Sequence, residues 1–247
     1  MNEIETLMLP TMTETWQQTL KWQPTVEQQQ LFQQLYQGIL EGNQQLNLTR
    51  ITEPTDFWEK HLWDSLRGIL TPMMGVNNSE DSPSKVIDIG TGAGFPGLPI
   101  AIAFPQCSVT LLDSTRKKIS FLETLIAQLG INNATALTGR GEALALLPAH
   151  RQYYNFALLR AVAPAPICAS YALPLLKTGG LAILYRGHWT DQETEALKPV
   201  VENLGAEIES IESFTTPLSN SIRHCLYLRS YLAPKELPII KKNNHKK

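Results

Sequence analysis

Cysteine is scarce in this sequence of 247 residues, and long apolar runs are missing. Cys107, Cys168 and Cys225 lie far apart, so none has a neighbour at the spacing of a metal knuckle or a redox pair. We therefore expect buried thiols in a reducing compartment and no metal site. No segment approaches the roughly 20 apolar residues of a membrane-spanning helix, and residues 1–10 do not resemble a secretory signal. These absences predict a cytoplasmic protein.

A large excess of charge of one sign is also lacking. The formal net charge is -2, so no global positive field indicates a nucleic-acid partner, and any RNA contact must come from a local patch. The candidates for a basic rim around a ligand cleft are Arg50, Lys60, Arg67, Lys117, Lys118, Arg140, Arg160 and Arg186. Scattered lysine and arginine side chains usually lie on the solvated surface. The sequence does not show whether these eight lie together around one cleft.

Hydrophobic periodicity changes part-way along the chain. Leu31, Leu35 and Ile39 recur at helical spacing between Thr13 and Glu41, and a further helix is predicted over Asp56 to Leu70. A run of polar turn-forming residues then indicates a linker. The predicted segments are a helical unit over 1–75, a linker over 76–84, a main domain over 85–233 and a basic, disordered tail over 234–247.

After the linker, short apolar runs alternate with helical stretches. The predicted strands are Lys85–Ile89, Ser108–Leu112, Ala134–Thr138, Phe156–Leu159, Leu181–Tyr185, Ala206–Phe214 and His224–Tyr231. The predicted helices between them are Pro99–Phe104, Arg116–Leu129, Glu142–Leu147 and Ala165–Leu176. This alternation predicts an α/β fold with a mostly parallel, Rossmann-like sheet. The last two strands flank a polar turn and are expected to close the sheet as an antiparallel hairpin.

A glycine-rich loop follows the first predicted strand. Gly90, Gly92, Gly94 and Gly97 allow a tight turn and a close approach to a ligand. A dinucleotide fingerprint would place a glycine where Phe95 stands, and no Gly-Lys-Ser/Thr follows to make a Walker loop. The loop therefore favours S-adenosyl-L-methionine over a dinucleotide.

An acid stands at the end of the second predicted strand. Asp113 lies about 20 residues beyond Gly90, where an acid in a nucleotide-binding crevice accepts hydrogen bonds from ribose hydroxyls. Asp113 or Ser114 could instead cap the helix that begins near Arg116. The loop and the acid together are more specific than either alone, but the pattern leaves a nicotinamide cofactor open.

Two motifs follow the third and fourth predicted strands. The loop Gly139-Arg-Gly-Glu142 is expected beside an adenine, although Glu142 could be an ordinary acid in the first turn of a helix. Arg160 stands just past an apolar strand, at the edge where such sheets bind ligands. A surface ion pair is the alternative for this arginine, but its position favours a role in the site.

Together these segments resemble the ribosomal RNA small subunit methyltransferase G family, also called GidB. The segments that carry the resemblance are Asn47-Leu-Thr-Arg-Ile51, His61-Leu-Trp-Asp-Ser65, the loop from Asp88 to Gly97, Leu111-Leu-Asp-Ser114 with Lys117-Lys118 and Phe121-Leu122, Gly139-Arg-Gly-Glu142 and Arg160-Ala-Val-Ala163. They extend from Asn47 to about Gly187. The resemblance implies a class I methyltransferase fold and methyl transfer from S-adenosyl-L-methionine to N7 of one guanosine in the decoding region of 16S ribosomal RNA.

The resemblance also implies a set of site residues. The implied cofactor residues are Gly90, Phe95, Asp113, Ser114, Thr115, Gly141, Glu142 and Arg160. The implied RNA contacts are Asn47, Arg50, His61, Asp64, Ser65 and Arg186. For His61, a structural role beside Asp64 or a backbone carbonyl is an equal alternative. Arg160 and His61 are the candidate catalytic residues, although transfer to N7 requires alignment more than a general base.

Two positions depart from the family pattern. Asn155 precedes Phe156 where an acid is common, which counts against an acidic general base at this point. Arg186 stands where a lysine is common, so the charge is kept but its point-like geometry is not. Neither departure touches the glycine loop.

Three functions remain open from the sequence. They are the ribosomal RNA methyltransferase, a nicotinamide-dependent oxidoreductase, and a non-catalytic RNA-binding assembly factor that retains the cavity. The expected partner is 16S ribosomal RNA or the small ribosomal subunit, with no membrane association, and the protein is expected to be a monomer.

Overall fold

A computed structural model describes residues 7–75 and 83–231. Most of the predicted linker over 76–84 and the whole of the predicted tail over 234–247 lie outside these residues, so the linker and the tail stay predictions. Within the described part of the chain, no helix is long and apolar enough to cross a membrane.

Seven strands form one sheet in the order β3-β2-β1-β4-β5-β7-β6. Their bounds are β1 Lys85–Ile89, β2 Ser108–Asp113, β3 Ala134–Thr138, β4 Tyr154–Arg160, β5 Leu176–Arg186, β6 Ala206–Thr215 and β7 Ile222–Ser230. The first five strands pair in parallel, and β7 is antiparallel to both β5 and β6. The predicted Rossmann-like sheet with its closing hairpin is therefore confirmed. The strand order reverses between β1 and β4, and such a switch point opens a crevice at the carboxyl ends of the strands.

Ten α-helices accompany the sheet in the described residues. Their bounds are α1 Thr13–Leu20, α2 Val26–Leu46, α3 Pro54–Phe57, α4 Asp64–Arg67, α5 Leu70–Met74, α6 Gly97–Ala103, α7 Arg116–Gln128, α8 Gly141–Leu144, α9 Ala165–Ala172 and α10 Asp191–Asn203. Helices α3 and α4 are joined without a break by a π-helical turn, Trp58–Trp63. Such turns are rare and are often found at functional sites.

Helix α10 is absent from the sequence-based prediction. Its N-terminus carries a capping box, in which the Glu193 N–H donates to Thr190 Oγ1 at 3.2 Å and the Thr190 N–H donates to Glu193 Oε2 at 3.0 Å. A Thr-x-x-Glu pattern is the recognised signal for a helix start, so the sequence did contain the information.

The core has two parts, one on each face of the sheet. One part packs α8, α9 and α10 against the sheet. The other places α1, α2 and the segment from α3 to α5 against α6 and α7, with Trp16, Trp58 and Trp63 almost fully buried. The N-terminal helices therefore share a hydrophobic core with the α/β part, and this contact carries the π-helical turn to the edge where the parallel strands end.

A buried carboxylate ties the π-helical turn to the closing hairpin. Glu59 is 1% exposed, and its Oε1 accepts hydrogen bonds from the backbone N–H groups of Leu218 and Ser219, the latter at 2.9 Å. Both residues lie between β6 and β7.

Replacing Glu59 with alanine is expected to lower the free energy of unfolding by about 2 kcal/mol, because two backbone donors lose their acceptor where little water reaches them. Glu59→Gln keeps one acceptor oxygen and should cost less than half as much. Chemical denaturation of the three proteins would measure both values. Equal losses in the two variants would contradict the role of the accepted hydrogen bonds.

Candidate active site

A cavity of about 650 Å³ opens at the carboxyl ends of β1, β4 and β5. Residues from the glycine loop, the π-helical turn and the ends of β4, β5 and β7 form its wall. The predicted site residues among them are Gly90, Phe95, Asp113, His61, Asp64, Arg160 and Arg186. The fold thus brings together side chains that are up to 125 positions apart in the sequence, from His61 to Arg186.

A second cavity of about 260 Å³ adjoins the first. It is lined by the loops that follow β2, β3 and β4, and the predicted residues Ser114, Gly141 and Glu142 belong to it. Gly90, Asp113 and Val162 border both cavities. The two spaces therefore meet at the glycine loop and at the acid that ends β2.

Gly90 borders both cavities at a position that favours glycine. Its φ of +75° is in the left-handed region that favours glycine. A Cβ atom at this position would lie 2.7 Å from Cγ2 of Val162, which is a severe overlap. Hydrogen bonds from the N–H groups of Gly90 and Thr91 to the Leu112 carbonyl, at 2.7 and 3.0 Å, hold the turn against β2.

Asp88 offers a buried acceptor behind this loop. Its Oδ2 accepts hydrogen bonds from Thr91 Oγ1 at 2.6 Å and from the Gly97 N–H at 2.8 Å. Its Oδ1 is buried with no partner among the described residues. Burial raises the pKa of Asp88 to about 6. The two hydrogen bonds lower this pKa, but their effect is smaller than that of burial. Asp88 is fully buried and lines neither cavity, so its role is to hold the glycine loop in shape from behind.

Asp113 is positioned by the backbone on both sides of it. Oδ2 accepts from the Gly92 N–H at 3.0 Å and Oδ1 from the Thr115 N–H at 2.8 Å. Each carboxylate oxygen retains acceptor capacity, because an ionised carboxyl offers about four sites. Thr115, and not Asp113 or Ser114, is the N-cap residue of α7, and its side chain makes no capping hydrogen bond. The capping alternative is therefore wrong for the two residues named, and Asp113 retains acceptor capacity at the border of both cavities.

Arg160 ties the end of β4 to the π-helical turn. Its Nη1 donates to the Lys60 carbonyl at 2.9 Å and to Asp64 Oδ2 at 3.0 Å, and its Nη2 donates to Nδ1 of His61 at 3.3 Å. The guanidinium also lies 5.8 Å from the centre of the Phe95 ring. The arginine therefore makes an ion pair, but a largely buried one that forms part of the cavity wall.

His61 is a neutral link within this wall. Since arginine can only donate, Nδ1 of His61 must accept, and its Nε2 then donates to Thr49 Oγ1 at 2.8 Å. The imidazole stacks on the ring of Phe95 with 4.3 Å between centroids. Burial, together with the positive charges of Arg160 and Lys60, lowers the pKa of His61 to about 3. With both ring nitrogens engaged, His61 has no free lone pair with which to act as a general base.

The low pKa of His61 predicts a specific dependence of stability on pH. The unfolded chain binds a proton near pH 6.5 that the folded chain binds only near pH 3, so stability from this group is complete above about pH 6.5 and is lost as the pH falls towards 3. Between about pH 7.5 and about pH 5.5, the wild-type protein should lose more stability than His61→Gln. Denaturation at both pH values would measure this, with His188→Gln as the matched control at an exposed histidine. Identical slopes in the wild type and His61→Gln would refute the assignment.

Several predicted RNA-contact residues lie outside both cavities. Asn47 is exposed and terminates α2 with a left-handed φ of 46°, a conformation that asparagine tolerates well. Arg50 is exposed and does not line either cavity. Ser65 is fully buried, its hydroxyl donates to the His61 carbonyl, and its own carbonyl accepts from the Tyr185 hydroxyl at 2.8 Å. Of the predicted cofactor residues, Thr115 is the one that lines neither cavity.

Part of the predicted basic rim converges. Lys60, Lys118, Arg160 and Arg186 line the larger cavity, and Arg140 lines the smaller one. Arg67 instead pairs with Glu212 at 3.2 Å and lies over the ring of Phe214. The larger cavity also contains Arg223 of β7, which sequence reasoning missed because no motif surrounds it. Only the antiparallel return of β7 beside β5 brings this arginine to the site.

Asn155 is remote from this wall. It lies at the start of β4, whereas the cavities lie at the end of that strand, and its Oδ1 accepts from the Lys85 N–H at 3.0 Å. The departure from the family pattern at this position therefore concerns strand pairing, and Asn155 lies at the end of β4 that is away from the cavities.

Comparison with known proteins identifies the family. The family model described as rRNA small subunit methyltransferase G (GidB) matches residues 28–225. This chain belongs to the rRNA small subunit methyltransferase G family. Among its relatives, the protein named Ribosomal RNA small subunit methyltransferase G of Nostoc punctiforme is 61% identical over 224 residues, which cover 91% of each chain. The protein of the same name from Trichodesmium erythraeum is 59% identical over 230 residues, covering 93% of this chain and 89% of that one.

Solved structures of distantly related proteins share the sheet. A transferase from Pyrococcus horikoshii superimposes with a TM-score of 0.52 at 16% identity, covering 68% of this chain and 63% of its own. TYW2 of M. jannaschii, solved in complex with AdoMet, gives a TM-score of 0.50 at 14% identity, covering 67% and 74%. At these identities the likeness concerns the fold alone.

Proposed function

We propose that this member of the GidB family transfers a methyl group from S-adenosyl-L-methionine to N7 of one guanosine in 16S ribosomal RNA, guanine 527 in the numbering of that RNA. The observation that carries the proposal is the junction of two cavities at Gly90 and Asp113. The smaller one offers the ribose acceptor and backbone groups for an adenine, and the larger one is rich in cations. The cofactor, when bound, supplies a methyl group on a cationic sulfur.

The residues of this chain would act by binding and alignment. Asp113 would hold the ribose, the loop around Gly141 and Glu142 would border the adenine, and Asp88 would keep the glycine loop in shape through Thr91 and Gly97. Guanine N7 has an in-plane lone pair and carries no proton, so the site needs no group to remove one. The neutral state of His61 agrees with this. Because its pKa lies well below neutral pH, the imidazole stays uncharged and the cavity wall keeps its geometry.

The two rival functions have less support. Phe95 is buried against His61 at the position where a dinucleotide loop would carry a glycine, which disfavours a nicotinamide cofactor. An assembly factor that retains the cavity would share its geometry, so methyl incorporation separates this function from the enzyme. We also expect the protein to act as a monomer in the cytoplasm, without a membrane, because its expected RNA partner is found there.

Incubation with methyl-labelled cofactor and 16S RNA, free or in the small subunit, tests the proposal. Label should enter the RNA, and chemical cleavage at N7-methylated guanine should map it to one nucleotide. RNA from cells that lack this protein should accept the methyl group, and RNA from normal cells should not. Absence of incorporation into every form of the RNA, with cofactor binding intact, would favour the binding factor.

A further inference from the structure

Arg186 directs its donors to the segment that follows β4. Strands β4 and β5 run in parallel and end side by side, at Arg160 and Arg186. Nη1 of Arg186 donates to the Ala163 carbonyl at 2.8 Å, and Nη2 donates to Sγ of Cys168 at 3.3 Å. Its Nε is closed to solvent, and within the described part of the chain the guanidinium forms no ion pair with an acid. The hydrogen bonds of this side chain therefore hold the loop after β4 and the start of α9.

Cys168 completes the hold on the same carbonyl. Its thiol donates to the Ala163 carbonyl at 3.2 Å, while its Sγ accepts from Arg186. The side chain of Cys168 is 1% exposed, and burial raises the pKa of the thiol, so the thiol stays protonated and can donate. The Ala163 oxygen thus accepts two hydrogen bonds, one for each of its lone pairs. A carbonyl that is held from two sides fixes the end of the loop.

The loop between Arg160 and Ala163 needs such a hold. Ala161 has a φ of +57°, in the left-handed region that alanine rarely adopts because its Cβ atom crowds the backbone. A residue in this conformation persists only when its surroundings restrain it. Ala161 is exposed at the larger cavity, so packing of its own side chain supplies little restraint. The fixed carbonyl of Ala163 supplies a restraint two residues further along the chain.

Val162 lies within this restrained loop and packs on the glycine loop. It borders both cavities. Its Cγ2 lies 2.7 Å from the place that a Cβ atom of Gly90 would take, so this methyl group sits directly against the Gly90 backbone. The position of Val162 therefore sets how much space is left where the two cavities meet, beside Asp113.

We propose that Arg186 is a positioning residue for S-adenosyl-L-methionine. Through the Ala163 carbonyl and Cys168 it holds Val162 against Gly90, and this contact shapes the junction of the two cavities. Arg186 would therefore act on the cofactor side of the reaction, and not as the RNA contact that the family resemblance implies. The inference rests on the proposed function only in that the ligand at the junction is S-adenosyl-L-methionine.

Arg186→Gln should weaken the binding of S-adenosyl-L-methionine about tenfold, because glutamine is too short to reach the Ala163 carbonyl and the loop loses a charge-assisted hydrogen bond. Calorimetric titration in the absence of RNA would measure this change. In methylation assays the KM for the cofactor should rise by a similar factor, whereas the KM for RNA and its dependence on salt should stay unchanged. Arg186→Lys should lose less than about threefold in affinity, since its ammonium group can still donate to that carbonyl.

Arg229→Gln is the matched control. Arg229 also donates to a backbone carbonyl, that of Gly179 at 2.8 Å, but it pairs with Leu181 at the end of β5 that is away from the cavities. This variant should bind the cofactor like the wild type. An RNA contact at Arg186 would give a different pattern in Arg186→Gln, with unchanged cofactor affinity and a raised KM for RNA. The slope of log KM for RNA against log[salt] would then become shallower by about 0.7 for one lost phosphate contact. That pattern would overturn the proposal.

Further variants test the route through the loop. Cys168→Ser keeps a group that can donate to the Ala163 carbonyl and accept from Arg186, so it should bind the cofactor like the wild type. Cys168→Ala should bind it about threefold more weakly. In a Val162→Ala background, Arg186→Gln should cost less than about threefold, because the side chain that Arg186 positions is already removed. A loss as large as that in the wild-type background, or equal affinities of the two cysteine variants, would contradict the route. The cysteine variants also keep the proposal testable if Arg186→Gln does not fold.

Failure of the proposed function would be seen separately, because cofactor binding is measured without turnover. If 16S RNA were not methylated while Arg186→Gln still bound the cofactor more weakly than the wild type and Arg229→Gln, the positioning role would stand and the proposed reaction would be wrong. If the RNA were methylated and Arg186→Gln bound the cofactor as tightly as the wild type, only the positioning role would be wrong.

Discussion

Asp113→Asn is expected to bind S-adenosyl-L-methionine about 100-fold more weakly than the wild type, because two charge-assisted hydrogen bonds to the ribose become weaker or are lost. Asparagine has the same shape but only one acceptor oxygen, and its amide nitrogen would face the N–H group of either Gly92 or Thr115. The variant therefore loses one of the two ligand acceptors, and its amide nitrogen repels one of the two backbone N–H groups that position the side chain. Calorimetric titration with the cofactor would measure the change.

The cause of this loss can be isolated with a second ligand. A cofactor analogue without the ribose hydroxyls should bind the wild type far more weakly than the natural cofactor, yet it should bind Asp113→Asn almost as well as the natural cofactor does. Asp191→Asn, at an exposed aspartate in the first turn of α10, is the control and should leave both affinities unchanged. If Asp113→Asn discriminated between the ligands as strongly as the wild type, Asp113 would not be the ribose acceptor.

Arg160→Met is expected to lower the free energy of unfolding by about 3 kcal/mol, because removing one partner of a largely buried ion pair leaves the other charge uncompensated. The side chains of Arg160 and Asp64 are 17% and 15% exposed, so water screens them little. The Lys60 carbonyl and Nδ1 of His61 lose their donor as well. For a chain of this length, the melting temperature should fall by about 10 °C. Methylation of RNA should fall at least about 100-fold even well below that temperature, since Phe95 and His61 lose their alignment in the cavity wall.

A double variant separates the charge from the geometry. In Arg160→Met/Asp64→Asn the unpaired carboxylate is gone, so part of the lost stability should return relative to Arg160→Met. Activity should not return, because the wall still lacks the group that joins β4 to the π-helical turn. Arg116→Met, at an exposed arginine, should match the wild type in both measurements. Full recovery of activity in the double variant would mean that Arg160 serves only to neutralise Asp64.

The order of strands and helices follows from local patterns in the sequence. The strand Lys85–Ile89 and the strand Ala134–Thr138 have the predicted bounds, because an apolar run between turn-forming residues has few alternatives. Helix α10 was missed although its capping box is a local signal. The π-helical turn, by contrast, has no signal in the spacing of apolar residues. Most of its residues are buried, so no polar face marks where the turn includes an extra residue.

The glycine loop and Asp113 were also predictable, because a phosphate- or ribose-binding loop has to present particular backbone conformations and one acid at a known distance along the chain. What the sequence alone determined is therefore the parallel sheet, the family, and the glycine loop and acid of the proposed cofactor site. What only the tertiary structure decided is the other half. It showed that His61 is a neutral link between Thr49 and Arg160, that Ser65 is buried, that Asn155 is remote, and that Arg223 of the last strand lines the larger cavity. These facts depend on which side chains meet across the sheet and on how much water they exclude. The spacing of residues along the chain determines neither property.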